Sequence, residues 1–138
     1  MSLLGYHGFN NWENHFMEDE NERDNILFGF ELEAREDDSN YVENQLSPEQ
    51  VACKLGEEFG NLFVYERDSS IGRGVEIISQ PMTMNYYMAH IDLFKKLLKM
   101  LDKMNYVSTK GNKCGLHIHF NRKALGYNSK EFETLKNK

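Results

Sequence analysis

Residues 26–35, ILFGFELEAR, alternate with a period of two. Phe28, Phe30, Leu32 and Ala34 fall on one side, and Gly29, Glu31, Glu33 and Arg35 on the other. Successive side chains of an extended strand point to opposite faces. One face of this strand is therefore apolar and the other carries two carboxylates. The segment KCGLHIHFNR, residues 113–122, has the same parity. Leu116, Ile118 and Phe120 share a face that reads as buried, while His117, His119 and Asn121 share the opposite one. A chain with two such strands is constrained to a sheet that packs one face on a core and leaves a polar face open.

The intervening sequence supplies the helices for that core. Ser47, Pro48 and Gln50 form a helix start with a capping box, and Val51, Ala52, Leu55 and Phe59 make its buried stripe. Gly60 suits its end. LFVYERD and GVEIISQP read as two strands of a hairpin joined by SSIGRG, with Pro81 ending the second. From Met84 to Met104 a helical pattern recurs through Tyr87, Met88, Ile91, Phe94, Leu97, Leu98, Leu101 and Met104. NYVSTKGNK reads as a loop before the histidine strand. The order of strand, helix, hairpin, long helix and strand predicts an α+β fold: a mostly antiparallel sheet with helices on one face.

The 138 residues suit one domain, and 40% hydrophobic content is enough for a core. Residues 1–25 read as an N-terminal extension or linker, with an acidic run at 17–24, and 26–138 as the domain. Ser129, Glu131 and Glu133 look like a helix start near the C-terminus, so the chain is expected to be a fragment of something longer. A net charge of −6 argues against a phosphate-tracking nucleic-acid binder. There is no apolar run of 18 residues and no signal-peptide pattern, so a cytoplasmic protein with no membrane partner is expected. Cys53 and Cys114 read as reduced thiols.

On the polar face the strands would collect Glu31, Glu33, Glu66, Asp68, Glu76, His117 and His119. Carboxylates grouped on one face repel unless a cation lies among them. Hard divalent cations take carboxylate oxygens, and imidazole can complete the shell. A solvated face explains the same alternation, and Glu66, beside Arg67 and a turn, reads as solvated. Zinc at Cys114 is disfavoured because its parity differs from that of the histidines, unless Gly115 forms a bulge. Lys110 and Lys113 could meet phosphate, but exposed lysines are common.

Three ordered segments, FGFELEAR, ERDSSIGRGVEIISQPM and KCGLHIHFNR, resemble the amidoligase family, carboxylate-amine ligases with the fold of glutamine synthetase and glutamate-cysteine ligase. Gly29, Glu31 and Glu33 match its first motif. Asp68, Ser70, Gly74, Glu76, Ser79 and Pro81 match the second, and Cys114, Gly115, His117 and His119 the third. The resemblance implies transfer of the ATP γ-phosphoryl group to a carboxylate, then attack by an amine on the acyl phosphate. It implies Mg²⁺ or Mn²⁺ and ATP as cofactors, and small-molecule or peptide carboxylates and amines as substrates. One of Glu31 and Glu33 would join Asp68 and Glu76 at one metal, the other would join His117 at a second, and His119 would contact the acyl group or its phosphate. A homo-oligomer fits the same pattern.

Family members continue with a further metal carboxylate and phosphate-holding arginines. Here Arg122 is the only arginine after the histidines, with Lys123, Lys130, Lys136 and Lys138. The chain thus carries the first half of such a site, to be completed by further sequence or a partner, or else catalysis is lost. The rival readings are a non-catalytic metal-binding or assembly module that retains the fold, and a cupin-like metal oxygenase. The cupin reading lacks a glutamate shortly after His119 and any later histidine.

Overall fold

A computed structural model describes residues 16–19, 21, 26–68, 73–108 and 115–120, with Asp68 by its backbone alone. The chain forms β1 (Leu27–Glu36), α1 (Pro48–Phe59), β2 (Phe63–Asp68), β3 (Gly74–Ser79), β4 (Met82–Thr83), α2 (Met84–Ala89), α3 (Ile91–Lys103), β5 (Tyr106–Val107) and β6 (Leu116–Phe120). The expected α+β class is the observed one, a six-stranded open sheet whose named strands all pair antiparallel.

β1 is the centre. On one edge it pairs with β3 and then β4, on the other with β6 and then β5, and β2 lies outside β3. Leu32 stands opposite Ile77 and Ala34 opposite Val75, while Tyr65 stands opposite Ile77 on the far side of β3. Residues directly opposite share a face, so these side chains form the apolar layer. They pack with Val51, Ala52, Leu55 and Phe59 of α1 and Phe94, Leu97 and Leu101 of α3 in one buried cluster. Phe63 links the layers: its ring centroid lies 5.4 Å from Phe59 and 6.0 Å from Phe94, both edge-on, the geometry aromatic pairs prefer.

Local chemistry sets α1 as the sequence predicts. The Ser47 hydroxyl accepts the Gln50 N–H at 3.2 Å, and the Gln50 side chain accepts the Ser47 N–H at 2.8 Å. Gly60 ends the helix at φ +59°, a conformation costly for other residues. Beyond Ser79 the ladder with β1 is interrupted. An unbroken register would set Phe28 against Pro81, but it stands against Met82. Within this slip the Ser79 hydroxyl accepts the Phe30 N–H at 2.9 Å. A Cβ on residue 29 would come within 3.3 Å of the same hydroxyl oxygen, which is why glycine fits there.

Four expectations need correction. The helix expected from Met84 to Met104 is two helices broken at His90, whose N–H bonds the Tyr86 carbonyl and whose own carbonyl accepts the Leu93 N–H. Neither proline nor glycine stands there. The His90 ring stacks on Tyr86 and its Nε2 meets Glu18 at 3.0 Å. Met88 and Leu98, placed on the buried stripe, are exposed, Leu98 lining an open groove. Part of the expected loop is strand β5, with Tyr106 buried. Finally, Leu116, Ile118 and Phe120 are 59%, 56% and 57% exposed rather than buried. Among the described residues β6 lies at the sheet edge, and the space between its apolar side and the α2–α3 arm is an open groove of about 340 Å³. Phe16 pairs with Met82 in an isolated parallel bridge. Among the described residues, no helix is long and apolar enough to cross a membrane.

Candidate functional site

The strand registers decide which polar residues become neighbours. Glu33 on β1 stands opposite Glu76 on β3, and Glu76 stands opposite Glu66 on β2. Three carboxylates thus occupy one register row across three adjacent strands, at the Cβ spacing of about 4.5–5.5 Å for such pairs. One step away on β1, Glu31 stands opposite His117 on β6. Two residues further along β6, His119 stands opposite Gly29. Asp68 lies two residues beyond Glu66 and opposite Gly74, so its backbone position belongs to the carboxylate face. Every sequence-predicted metal residue is therefore on one side of the sheet.

Their environments differ. Glu66 is 0% exposed and Glu76 4%, whereas Glu31 and Glu33 are half-buried. His117 and His119 lie on β6, all of whose residues are exposed. The burial of Glu66 overturns its reading as a solvated residue. It shares parity with Asp68, and β3 beside it is buried along its whole length. That parity was the signal available in the sequence; the neighbouring Arg67, which pairs with Glu49 on α1, pointed the other way.

One side-chain contact on this face joins β6 to β1. His119 Nε2 lies 3.4 Å from Glu31 Oε1, a diagonal cross-strand pair. Glycine at position 29 leaves the space opposite His119 without a side chain, and the imidazole lies toward the carboxylate one pleat along.

The donor set suits a hard divalent cation. It is rich in carboxylate oxygen, with imidazole nitrogen at its edge, the combination that Mg²⁺ and Mn²⁺ accept. Burying negative charge on adjacent strands is costly unless a cation or a proton offsets it. As they stand, no three His, Cys, Asp or Glu side chains among the described residues converge closely enough to hold a metal ion. The row is aligned at the backbone. Cys114, Lys110, Lys113, Ser70 and the helix start expected at Ser129 lie outside the described residues. Cys53 is a free, exposed thiol on α1, remote in sequence and face from this site.

No protein-family model matches the chain, and no curated protein or solved structure is significantly similar to it.

Proposed function

We propose that the carboxylate face is the cation-binding half of an ATP- and Mg²⁺-dependent carboxylate-amine ligase. One observation carries this reading: Glu33, Glu76 and Glu66 stand in register across three strands, with two of them buried, while Glu31 stands opposite His117. The resemblance of the three motifs calls for that division. Glu33, Asp68 and Glu76 would hold one cation, and Glu31 and His117 the other. The register favours this assignment over its reverse, because Glu33 faces Glu76 and Glu31 faces His117. Glu66 joins the first group as a residue of the same row.

Bound there, magnesium supplies charge neutralisation for the ATP phosphates during phosphoryl transfer. The protein's own contribution is positional. β1 carries both glutamates on one rigid strand two residues apart, so both groups are fixed relative to each other. β6 carries His117 and His119 at the same spacing, which puts both imidazoles beside Glu31, one directly opposite and one on the diagonal. His119 is the residue available to an acyl group or its phosphate. The substrates are a carboxylate and an amine of unspecified size.

Mn²⁺ binding, followed by electron paramagnetic resonance, tests the reading on the wild type and a Glu33→Gln/Glu76→Gln variant. The expected result is binding at millimolar Mn²⁺ or below, weakened at least about tenfold in the variant. Absence of carboxylate-dependent binding at millimolar metal would sink the site. Metal binding without ATP binding would leave a second reading, a metal-binding or assembly module without ligation. The open apolar groove beside β6 favours that alternative, since large exposed apolar patches often mark contact surfaces.

A further inference from the structure

The two glutamates of β1 differ in what they face, and this difference has a chemical consequence. Glu33 faces another carboxylate across β3. Glu31 faces apolar Ile78 on that side, and on the other side the imidazole pair of β6. Its Oε1 is 3.4 Å from His119 Nε2. Glu31 is 22% and His119 54% exposed at the side chain, so the carboxylate is the better anchored partner.

We infer that Glu31 is a positioning residue for His119: it holds Nε2 and leaves Nδ1 as the nitrogen that meets the substrate. The inference rests on the ligase reading for the nature of that substrate, an acyl phosphate, but not for the contact itself. A ring nitrogen beside a carboxylate carries a proton in both the neutral and the cationic imidazole. Nδ1 is then a lone pair in the neutral ring and an N–H donor in the cation. Either form can engage an acyl phosphate, as acceptor for the incoming amine's proton or as donor to a phosphate oxygen. Without an anchor, a half-exposed histidine on an edge strand would sample several rotamers. Gly29 across from it offers no side chain to limit the ring, so the restraint falls to Glu31. A carboxylate has two oxygens, and contact through Oε1 is compatible with Oε2 serving a cation beside His117.

Two measurements on the full chain test this. The first is made without metal: nuclear Overhauser contacts and side-chain couplings of His119 in wild type, Glu31→Gln and Glu31→Ala. A single His119 rotamer is expected in wild type and in Glu31→Gln, which keeps an acceptor oxygen, and rotamer averaging in Glu31→Ala. The second uses acetyl phosphate as the probe, followed by ³¹P resonance, with the variants compared in metal-free buffer, where loss of Glu31 as a cation ligand does not enter, and wild type measured also with Mg²⁺. Glu31→Ala and His119→Ala should each weaken binding about tenfold. The double variant should be no weaker than His119→Ala alone, as required when one residue acts through the other. Additive losses, or a His119 rotamer indifferent to Glu31→Ala, would overturn the proposal. If wild type binds no acetyl phosphate but the rotamer follows residue 31, positioning stands and the ligase reading falls.

Discussion

β1 pairs with β3 along one edge and with β6 along the other, five residue pairs on each side, both antiparallel. The two flanks have opposite fates. All six residues of β3 are buried, and all five of β6 are exposed. The hydrogen-bond ladders are alike, so the difference lies in what surrounds each strand. β3 has β2 beyond it and α1 and α3 over its apolar side. Among the described residues β6 has a neighbour on one edge only, and its apolar side borders an open groove. The comparison teaches that position in the sheet, not the apolar content of a strand, decides burial. It also divides the candidate site: its carboxylates come from the buried flank and its imidazoles from the open one.

Core truncations give the largest expected effect. Ile77 on β3 is fully buried, and Ile77→Ala should cost about 3 kcal/mol in urea unfolding, within the range for such deletions. Ile118 on β6 has the same side chain but is more than half exposed, and Ile118→Ala should cost less than about 1 kcal/mol. Equal costs would break the comparison, because they would mean that the apolar side of β6 is covered in solution.

Some of this architecture was legible in the sequence and some was not, for identifiable reasons. α1 was legible because its signals are local: Ser47, Pro48 and Gln50 start it, four apolar residues stripe it and Gly60 stops it. The two faces of β1 were legible because parity is local too: Leu32 and Ala34 are buried while Glu31 and Glu33 lie opposite. The break at His90 was not, since no helix-breaking residue marks it and its support comes from Glu18, 72 positions away. The exposure of Ile118 and the burial of Glu66 both depend on sheet order. Which glutamate faces which is a matter of register: a shift of two residues would keep every parity and pair Glu31 with Glu76 instead of Glu33.

Two buried tyrosines sharpen the comparison at a smaller scale. Tyr65, on the β3 flank, buries its hydroxyl with no hydrogen-bond partner among the described residues. Tyr106, on the β6 flank, donates to the Leu46 carbonyl at 2.9 Å. Tyr106→Phe should therefore cost about 1 kcal/mol, and Tyr65→Phe nearly nothing or a slight gain, by the usual balance between a lost hydrogen bond and relieved desolvation. Burial pushes both phenols above the ordinary tyrosine value of 10.0, with the Glu36 carboxylate adding to the effect at Tyr106. The neutral phenol is the form the folded state favours. Stability from this source is complete below about pH 10 and falls as pH rises above it, because the unfolded chain ionises first. Unfolding followed at alkaline pH should show a shallower decline in Tyr65→Phe than in wild type. An unchanged slope would mean that Tyr65 is hydrated in solution.

The smallest effect bears most directly on the site. Glu33 faces Glu76 across the β1–β3 ladder, and like charges directly opposite destabilise a sheet. In magnesium-free buffer, Glu33→Gln should raise stability by about 0.5 kcal/mol, the scale of such cross-strand pairs. His117→Asn on the open flank, which relieves no like-charge pair, should leave it unchanged. Added Mg²⁺ should then stabilise wild type more than Glu33→Gln, since a cation that binds the folded state contributes only where its ligands remain. This inversion separates a cation site from a merely solvated face. A solvated pair would show little repulsion without the ion and no specific gain with it. A destabilising Glu33→Gln in the absence of metal would mean that the Glu33 carboxylate is held by hydrogen bonds worth more than its repulsion from Glu76. The row would then be a structural network rather than half of a metal centre.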